Sequence, residues 1–401
     1  MNKFINSFFN KNQNNDDLLF LEKFPKIKVH KTINEIDKES WNNIIGENNP
    51  FIEYEFFKAL EVSNSIGKKS GWLCNYLALY EQEKLVGVIP LFTKYNSYGE
   101  YIFDWSWASA YSQSGLDYYP KFTIAVPFTP ATGKRIFIHP DYDFKEIADQ
   151  LINCLFAFAK SVNVSSIHWL FTEKQEMDYL TAKGFIPRYT HQFHWKNYNY
   201  NSFDDFLAEF TSKKRNQIKR ERKQAKEGIT IEIVSGNDLK PLHWQAMYNL
   251  YISTTYKKWA TDYLTKEFFE YIAKNFYENA VIVFAKKDNN YIAGALNFRK
   301  GDHLYGRYWG SLEEQQCLHF EICYYQSIEY AIKEKINLFE AGAQGEHKLQ
   351  RGFLAEYTYS VHWFAEPQFS NAIQDYLKRE KRSMDKMIDE YREDSPFKTQ
   401  K

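Results

Sequence analysis

The sequence predicts a mixed α/β protein of two tandem domains. Two observations support this prediction. The second half alternates strand and helix patterns in a fixed order, and the first half repeats that order more loosely. The length of 401 residues allows two or three domains, and 44% hydrophobic with 25% charged residues is typical of a soluble globular protein.

The composition also limits the compartment and the partners. The four cysteines, Cys74, Cys154, Cys317 and Cys323, are scattered without a C-x-x-C pair, which fits a reducing compartment. No stretch approaches the ~20 apolar residues that cross a bilayer, and the start has no signal-peptide pattern. A net charge of zero gives no steering toward nucleic acid or a membrane. We therefore expect a cytoplasmic protein with no integral membrane segment and no DNA partner.

The first predicted domain covers residues 25–199 and follows an Asn-rich tail at 1–24 that we expect to be poorly ordered. A charged turn between two apolar runs predicts a hairpin, and apolar residues at helical spacing predict the helices. The aromatic segment 101–135 fits neither pattern, so we expect a long irregular loop there. The predicted elements are a strand at 27–30, a helix capped by Asn34 or Asp37, a helix near 56–63, a hairpin of 77–80 with 85–91, a helix at 147–160, a strand at 166–171, a helix at 173–182 and a strand at 189–195.

The second predicted domain covers residues 200–401. Acidic residues after Ser202 open a short helix, and turns at 288–290 and 300–302 separate the strands of a meander. The other predicted elements are a basic helix at 211–227, a strand at 229–234, helices at 239–256 and 266–276, strands at 280–285, 291–298 and 303–309, an amphipathic helix at 318–333, strands at 336–340 and 357–364, and a charged terminal helix at 371–391. This is the element order of an acyltransferase fold of the GNAT type (acyl-CoA N-acyltransferase-like).

The loop that follows the strand at 336–340 carries a dense set of reactive side chains. Gly342 and Gly345 interrupt the strand, because glycine adopts backbone angles that other residues avoid. The polar side chains of this region include those of Glu340, Gln344, Glu346, His347, Lys348 and Arg351. A loop at the end of a strand is a common position for catalytic groups. The alternative is a solvated turn, since charged side chains mostly face water.

The basic run at 212–226 places cations around nearly the whole circumference of a helix. Such a helix suits phosphate contacts from RNA or from a nucleotide-linked substrate. The alternative is a solvated linker helix.

The segment after the meander limits the choice of acyl donor. GNAT enzymes hold the pyrophosphate of acetyl-CoA on backbone N–H groups of a glycine-rich turn at a helix N-terminus. The corresponding segment 310–317 lacks the glycine signature, and its carboxylates Glu313 and Glu314 would repel phosphate. Simple acetyl-CoA chemistry is therefore disfavoured in this half.

His319 and Glu321 point about 200° apart on the next helix, so at most one faces any cleft. No standard metal-ligand spacing is present, and we predict no metal.

Longer motifs extend over roughly residues 25–378. They are Asn49-Pro50-Phe51, the runs 97–105, 118–121 and 126–133, His194-Trp195, and the runs 306–310, 317–321 and 340–348. Together they resemble the FemAB-like proteins of the GNAT superfamily, which are labelled as peptidoglycan biosynthesis or recognition proteins. More distantly, the pattern is similar to the Fem aminoacyltransferases, which use aminoacyl-tRNA.

Two features carry the resemblance to the Fem enzymes. The segment 213–228 is similar to their basic helix, and Arg351-Gly352-Phe353 is similar to a late motif that contacts substrate phosphate. The sequence lacks the long helical hairpin of several Fem enzymes and has Ala355 where close relatives have Pro.

The resemblance implies an acyl- or aminoacyl-transferase that acts on an amine of a peptidoglycan-precursor-like substrate, a muropeptide or amino-sugar. The donor implied is acyl-CoA or aminoacyl-tRNA, so charged tRNA is a possible partner. The alternative is a non-catalytic protein that recognises such a precursor and kept the fold without a donor site. We expect Lys348 and Arg351 to neutralise phosphate or a developing oxyanion, and Glu346 or His347 to accept the amine proton.

The expected site residues come from both halves of the chain. The predicted catalytic residues are Glu346, His347, Lys348 and Glu321. The predicted substrate contacts are Asp104, Trp105, Trp107, Tyr118, Lys121, Thr129, Arg135, Arg307, Trp309, His319, Glu340, Gln344 and Arg351. Trp105, Trp107 and Tyr118 would form an aromatic wall. The resemblance places a cleft between the two domains, and the loop 104–135 would face 340–351 across this cleft. The alternative is that the Trp-rich loop packs in the core of the first domain.

Overall fold

The structure is a computed structural model that describes residues 22–46, 48–257, 263–343 and 345–398. Gln344 and residues 1–21 of the predicted tail lie outside the described residues. Within the described residues, no helix is long and apolar enough to cross a membrane.

The first half of the chain contains strands β1–β9 and helices α1–α5. In chain order they are β1 Ile27–His30, α1 Lys38–Ile44, α2 Tyr54–Val62, β2 Trp72–Cys74, β3 Tyr76–Glu81, β4 Lys84–Ile89, β5 Leu91–Lys94, α3 Trp105–Gln113, β6 Lys121–Ile124, β7 Phe137–Ile138, α4 Phe144–Ser161, β8 Ser166–Thr172, α5 Lys174–Ala182 and β9 Ile186–Lys196. The predicted strands, helices and hairpin of this half are confirmed.

The second half contains strands β10–β15 and helices α6–α12. In chain order they are α6 Phe203–Ala208, α7 Ser212–Ala225, β10 Thr230–Ser235, α8 Pro241–Lys257, α9 Lys266–Asn275, β11 Ala280–Lys287, β12 Asn290–Lys300, β13 His303–Ser311, α10 Leu318–Phe320, a π-helical segment Glu321–Tyr325, α11 Gln326–Lys333, β14 Leu338–Glu340, a 3-10 turn Glu346–Arg351, β15 Leu354–Phe364 and α12 Pro367–Glu393. The predicted element order of this half, including the basic helix, is confirmed.

The segment 101–135 corrects one prediction, because it contains α3 and β6 and is not an irregular loop. Trp107 and Tyr111 stand one helical turn apart on α3, and both are buried. All four residues of β6 are buried. An aromatic-rich segment shows little contrast between apolar and polar positions, so its helical and strand periods are hard to detect in the sequence.

The described residues divide into two compact units, here called unit 1 and unit 2. Unit 1 takes its described residues from Met1–Gly46, Ile66–Arg188 and Tyr359–Arg379. It holds an antiparallel sheet in the order β1-β3-β4-β7. It also holds the neighbouring strands β2, β5, β6 and β8 and the last part of β15, in which β6 and β8 are parallel.

Unit 2 takes its described residues from Glu47–Ser65, Tyr189–Thr358 and Glu380–Lys401. Its strands follow the order β10-β11-β12-β13-β14, and β14 then pairs with β9. The meander β11-β12-β13 is antiparallel, whereas β13 and β14 are parallel. One apolar cluster of unit 2 gathers residues of α6, α7 and α11 with Tyr325, Phe339 and Phe353.

The two units do not follow the single predicted cut between residues 199 and 200. The segment 47–65 belongs to unit 2, although it lies early in the chain. Its Phe56 ring contacts the rings of Phe268 and Phe276 at centroid distances of 5.9 and 6.0 Å, and Phe51 contacts Phe298 at 5.5 Å. These contacts join residues more than two hundred positions apart, so local sequence patterns do not reveal them.

Candidate functional site

The candidate site of unit 2 begins where two parallel strands part. β13 and β14 are paired only over a short stretch. The pairs are His303 with Leu338, Leu304 with Phe339, and Tyr305 with Glu340. β13 then continues beside β12 to Ser311, while the chain after Glu340 turns away at Gly342, whose φ is +83°. A gap therefore opens between the two strands.

A cavity of about 130 Å³ lies in this gap. β13 contributes the stretch 306–309 to its lining, and the departing chain contributes Ala341 and Gly342. The other lining residues are Ala295, Asn297, His319, Cys323 and Tyr324. Pockets for drug-sized ligands measure about 300–1,000 Å³, so this cavity suits a small group such as an acyl or aminoacyl moiety.

Three of the predicted site residues, Arg307, Trp309 and His319, line this cavity together. The rings of Trp309 and His319 meet edge to face at a centroid distance of 5.1 Å, and His319 meets Tyr324 at 5.3 Å. The Arg307 guanidinium lies 5.6 Å from the centre of the Phe51 ring. Aromatic and imidazole rings therefore form much of the wall, with one guanidinium among them.

Lys348 does not line the cavity but is bonded to a residue that does. Its Nζ donates a hydrogen bond of 2.8 Å to the carbonyl of the cavity-lining Gly342. The side chain is placed by the 3-10 turn, which Gly345 and Gly352 flank with φ values of +116° and +85°. Lys348 is 2% exposed, and this burial lowers its pKa to about 8.

His347 connects to the cavity through Tyr324. Its Nε2 lies 3.0 Å from the Tyr324 hydroxyl. Burial, together with the cations Arg351 and Lys348, lowers the pKa of His347 below its usual value, so the neutral ring is favoured near pH 7. Burial raises the pKa of Tyr324, so this hydroxyl keeps its proton. A neutral imidazole that accepts from a phenol is an arrangement that can take up a proton.

Glu340 is buried next to His194, to which it is paired across β14 and β9. The Nε2 of His194 lies 3.8 Å from a Glu340 carboxylate oxygen. Burial, with a contribution from Lys196, Lys348 and His303, lowers the pKa of His194 to about 3, so its ring is neutral.

Three predicted site residues of unit 2 are engaged by other partners. The Glu321 carboxylate is fully buried, and Arg222 donates to it from Nε and Nη2 over 3.0–3.2 Å. Glu346 is exposed and accepts from the Tyr391 hydroxyl at 3.1 Å. Glu321 is therefore an ion-pair partner and does not line the cavity. The prediction that His319 and Glu321 point in different directions is confirmed.

Arg351 is the third of these residues. Its Nη2 donates to both carboxylate oxygens of Glu221 at 3.1 Å, and its Nη1 donates to the His347 carbonyl at 2.8 Å. Its guanidinium carbon lies 3.3 Å from the centre of the Phe320 ring. Arg351 is thus engaged in an ion pair with α7, and its contact with phosphate stays a prediction. Gln344 lies outside the described residues.

Most of the predicted site residues of unit 1 are buried inside it. Lys121 is paired with Asp104 and, at 2.8 Å, with Glu100, and Tyr118 donates to Asp104 at 2.7 Å. The predicted residues that are at most 4% exposed are Asp104, Trp107, Tyr118, Lys121, Thr129 and Arg135. The predicted aromatic wall is corrected accordingly, because Trp107 and Tyr118 pack in an apolar cluster and Trp105 alone of the three is exposed.

Among the residues that the structure describes, no group of three His, Cys, Asp or Glu side chains could hold a metal ion.

A family described as FemAB-like, peptidoglycan biosynthesis/recognition, matches residues 32–399 of the chain. The chain belongs to the FemAB-like family. No functionally curated protein matches this FemAB-like chain in sequence.

Solved structures support the same fold. FemX is similar at 14% identity, with 87% of this chain and 99% of FemX covered and a TM-score of 0.51. The C-terminal domain of a putative lysylphosphatidylglycerol synthetase from Agrobacterium fabrum is similar at 10% identity, over 86% and 96%, with a TM-score of 0.50. A tandem GNAT protein from the clavulanic acid biosynthesis pathway is similar at 10% identity, over 85% and 98%, with a TM-score of 0.44. The predicted mixed α/β fold of tandem GNAT-like domains is confirmed.

Several residues of the candidate site had no signal in the sequence. Tyr324 and Cys323 line the cavity from the π-helical segment, and Asn297 lines it from β12. Glu221 lies within the basic run 212–226, and nothing in the sequence indicated that it is the partner of Arg351. The wider turn of a π-helix shifts which side chains share a face, so a helical period of 3.6 residues does not group Tyr324 with His319.

Proposed function

We propose that this FemAB-like protein transfers an acyl or aminoacyl group to the amine of a peptidoglycan-precursor-like substrate. The observation that supports the proposal best is the buried ammonium of Lys348, which donates to the carbonyl of Gly342 in the lining of the cavity between β13 and β14. A fixed cation in a site shielded from water stabilises negative charge that develops on a carbonyl oxygen. The family description, peptidoglycan biosynthesis/recognition, supports the substrate class.

The proposed reaction joins an acceptor nitrogen to the donor's carbonyl carbon. The nitrogen attacks this carbon, a C–N bond forms, and the ester C–O or thioester C–S bond breaks. Lys348 donates to the carbonyl oxygen while it carries negative charge. The amine proton passes to the Tyr324 oxygen as Tyr324 gives its own proton to His347, and His347 then protonates the leaving oxygen or sulfur. His347 is favoured over Glu346 as the base, because His347 contacts the cavity-lining Tyr324.

Aminoacyl-tRNA is the donor that we favour over acyl-CoA. The segment that would cradle the pyrophosphate of acyl-CoA packs against the end of α7, where Gln315 donates to the carbonyls of Gln224 and Glu227 at 3.4 and 3.2 Å. Glu313 in the same segment is paired with Lys287 at 2.8 Å. The outer face of α7 exposes cations that suit a phosphate backbone, namely Lys213, Lys219, Arg220 and Lys223.

The same segment also favours a second candidate function. A protein without a phosphate-binding turn at 310–317 could recognise a muropeptide and transfer nothing. Such a protein would be stabilised by the muropeptide nucleotide, and neither aminoacyl-tRNA nor acyl-CoA would add to that stabilisation.

The test measures transfer from aminoacyl-tRNA and from acyl-CoA to a muropeptide nucleotide by mass spectrometry. We expect the acceptor to gain one acyl mass in the presence of a donor, and Lys348→Met to lower the rate by about 10²–10³. Lys274→Met is the matched control, because Lys274 is an exposed lysine of unit 2, and its rate should stay unchanged. Folded protein that binds the muropeptide nucleotide but transfers from neither donor would contradict the enzyme and support recognition alone.

A further inference from the structure

Unit 1 carries an exposed aromatic surface that the proposed reaction does not use. Tyr98, Phe103 and Trp105 are 56%, 57% and 44% exposed, and we call these three residues the aromatic platform. The rings of Tyr98 and Trp105 touch at a centroid distance of 5.2 Å with an interplanar angle of 64°. Large aromatic side chains that cluster at a surface commonly mark a binding site.

The backbone under the platform is held by buried side chains. Lys94 Nζ donates to the Tyr98 carbonyl at 3.0 Å, and the indole N–H of Trp72 donates to the same oxygen at 3.1 Å. Arg188 Nη1 donates to the Phe103 carbonyl at 3.2 Å. The backbone carbonyls of Tyr98 and Phe103 are therefore both held by buried side chains.

A buried ion pair holds the backbone next to Trp105. Lys121 is fully buried and is paired with Asp104, which directly precedes Trp105, and with Glu100. Removing such charges from water costs several kcal/mol per ion unless the pairing geometry is good. Apolar side chains would fill the same space without that cost. The buried ions hold the segment 98–105 in one geometry, which is what a preorganised binding surface requires.

The surroundings of the platform indicate the chemistry of its ligand. The stretch 95–117 contains no lysine or arginine. Of its three carboxylates, Glu100 and Asp104 are buried and Asp117 is exposed. The exposed polar neighbours include the hydroxyl and amide side chains of Ser106, Ser109 and Gln113. An anionic membrane or a nucleic acid would require cations at this surface. Aromatic faces with neutral hydrogen-bonding groups around them match an uncharged ligand that is apolar on one face and polar at its edges.

We propose that the aromatic platform binds a neutral saccharide. The C–H face of a pyranose ring packs on the exposed rings of Trp105 and Tyr98, and the ring hydroxyls bond to neutral side chains such as Ser106 and Ser109. This binding site does not depend on acyl transfer, so it stands or falls separately from the proposed reaction.

The experiment titrates the full chain with a tetramer of N-acetylglucosamine and with a tetramer of glucose, and follows tryptophan fluorescence and heat. We expect saturable binding that Trp105→Ala and Tyr98→Ala each weaken by about tenfold or more. The matched control is Phe144→Ala, because Phe144 is an exposed aromatic residue of unit 1 at 43% and lies outside the platform. Its affinity should equal that of the wild type.

Thermal unfolding of each variant shows that a loss of binding is not a loss of fold. The proposal is overturned if neither saccharide binds, or if both platform variants bind as the wild type does. It is also overturned if the platform variants instead lose binding to vesicles of phosphatidylglycerol or to an uncharged peptide, because the occupant would then be a membrane or a polypeptide.

Discussion

At the scale of single residues, Lys348 shows how burial sets the chemistry of a side chain. The sequence places this lysine in a charged loop, but the structure leaves it 2% exposed with its ammonium on the Gly342 carbonyl. Burial disfavours the cation and lowers its pKa to about 8 from 10.5. Lys348 can thus serve as a cationic donor near pH 7 and lose that role in mildly alkaline solution.

The first prediction concerns stability and pH. Between about pH 8 and pH 10.5 the unfolded chain holds a proton on Lys348 that the folded chain has released, so the free energy of unfolding rises with pH in this window. Lys348→Met should remove up to about 3 kcal/mol of this rise. Urea titrations at about pH 8 and about pH 10 measure it, with Lys274→Met as the exposed-lysine control. Equal pH dependence in wild type and Lys348→Met would contradict the burial of this cation.

The second prediction concerns the proton path. Tyr324→Phe keeps the ring in the cavity wall and removes the hydroxyl that contacts His347. In the wild type the transfer rate should fall at acid pH, because a protonated His347 cannot accept a proton. We expect Tyr324→Phe to lower the rate by about 10²-fold and to remove this fall at acid pH, because His347 no longer relays the proton. Above about pH 8 the wild-type rate should fall as Lys348 loses its proton.

The matched control for this prediction is Tyr330→Phe. Tyr330 accepts a hydrogen bond from Arg299 at 3.2 Å and is not among the cavity-lining residues, so its rate should match the wild type. If Tyr324→Phe loses rate at acid pH as the wild type does, Tyr324 and His347 do not carry the proton.

At the scale of elements, α7 connects the 3-10 turn Glu346–Arg351 to the π-helical segment Glu321–Tyr325. Its inner face buries Ile218 and Ala225, and its Glu221 accepts two hydrogen bonds from Arg351. One residue further, Arg222 is paired with the buried Glu321. A helix that reads as uniformly basic thus has a charge-paired inner face and a cationic outer face.

The third prediction measures the pair between α7 and the loop. Glu221 and Arg351 are 12% and 6% exposed at their side chains, so removing one leaves the other charge buried without this partner. We expect Glu221→Ala and Arg351→Ala each to lower the free energy of unfolding by about 3 kcal/mol. The double variant should lose clearly less than the sum of the two losses, because both remove one interaction.

Denaturant titration gives these energies, and Lys219→Ala is the control on the exposed face of the same helix. It should change stability by less than about 0.5 kcal/mol. Additive losses for Glu221 and Arg351 would show that the two side chains do not stabilise each other.

At the scale of the whole molecule, two units share the chain without a single cut. The segment 47–65 joins unit 2 through its phenylalanine rings, and 359–379 joins unit 1. The cavity with Lys348 belongs to unit 2, and the aromatic platform with Trp105 belongs to unit 1. That the segments 104–135 and 340–351 face one cleft stays a prediction from the sequence.

The fourth prediction tests this shared cleft. Trp105→Ala and Lys348→Ala are made singly and together, and the affinity for a muropeptide nucleotide is measured by calorimetry. If both residues contact one ligand, the losses in binding free energy should be non-additive. Losses that add within about 0.5 kcal/mol would show two separate sites.

The sequence by itself determined the features that depend on local spacing. Periods of two and of 3.6 residues give the element order of the second half, and helix geometry gives the opposed directions of His319 and Glu321. The glycines around the loop predicted its backbone turns, and Gly342 and Gly345 have positive φ. Where aromatic residues occupied both faces, as in α3, the period was lost and the prediction failed.

The tertiary structure alone decided which of these groups meet. Arg351 pairs with Glu221, which lies 130 positions away, and Tyr324 meets His347 across a helix and a strand. Trp107 and Tyr118 lie in an apolar cluster with Phe364 from the far end of the chain. The cavity exists because two parallel strands part after a short pairing. Periodicity records how each segment faces its surroundings, but partners, burial and the pKa values that follow from burial arise when distant segments pack together.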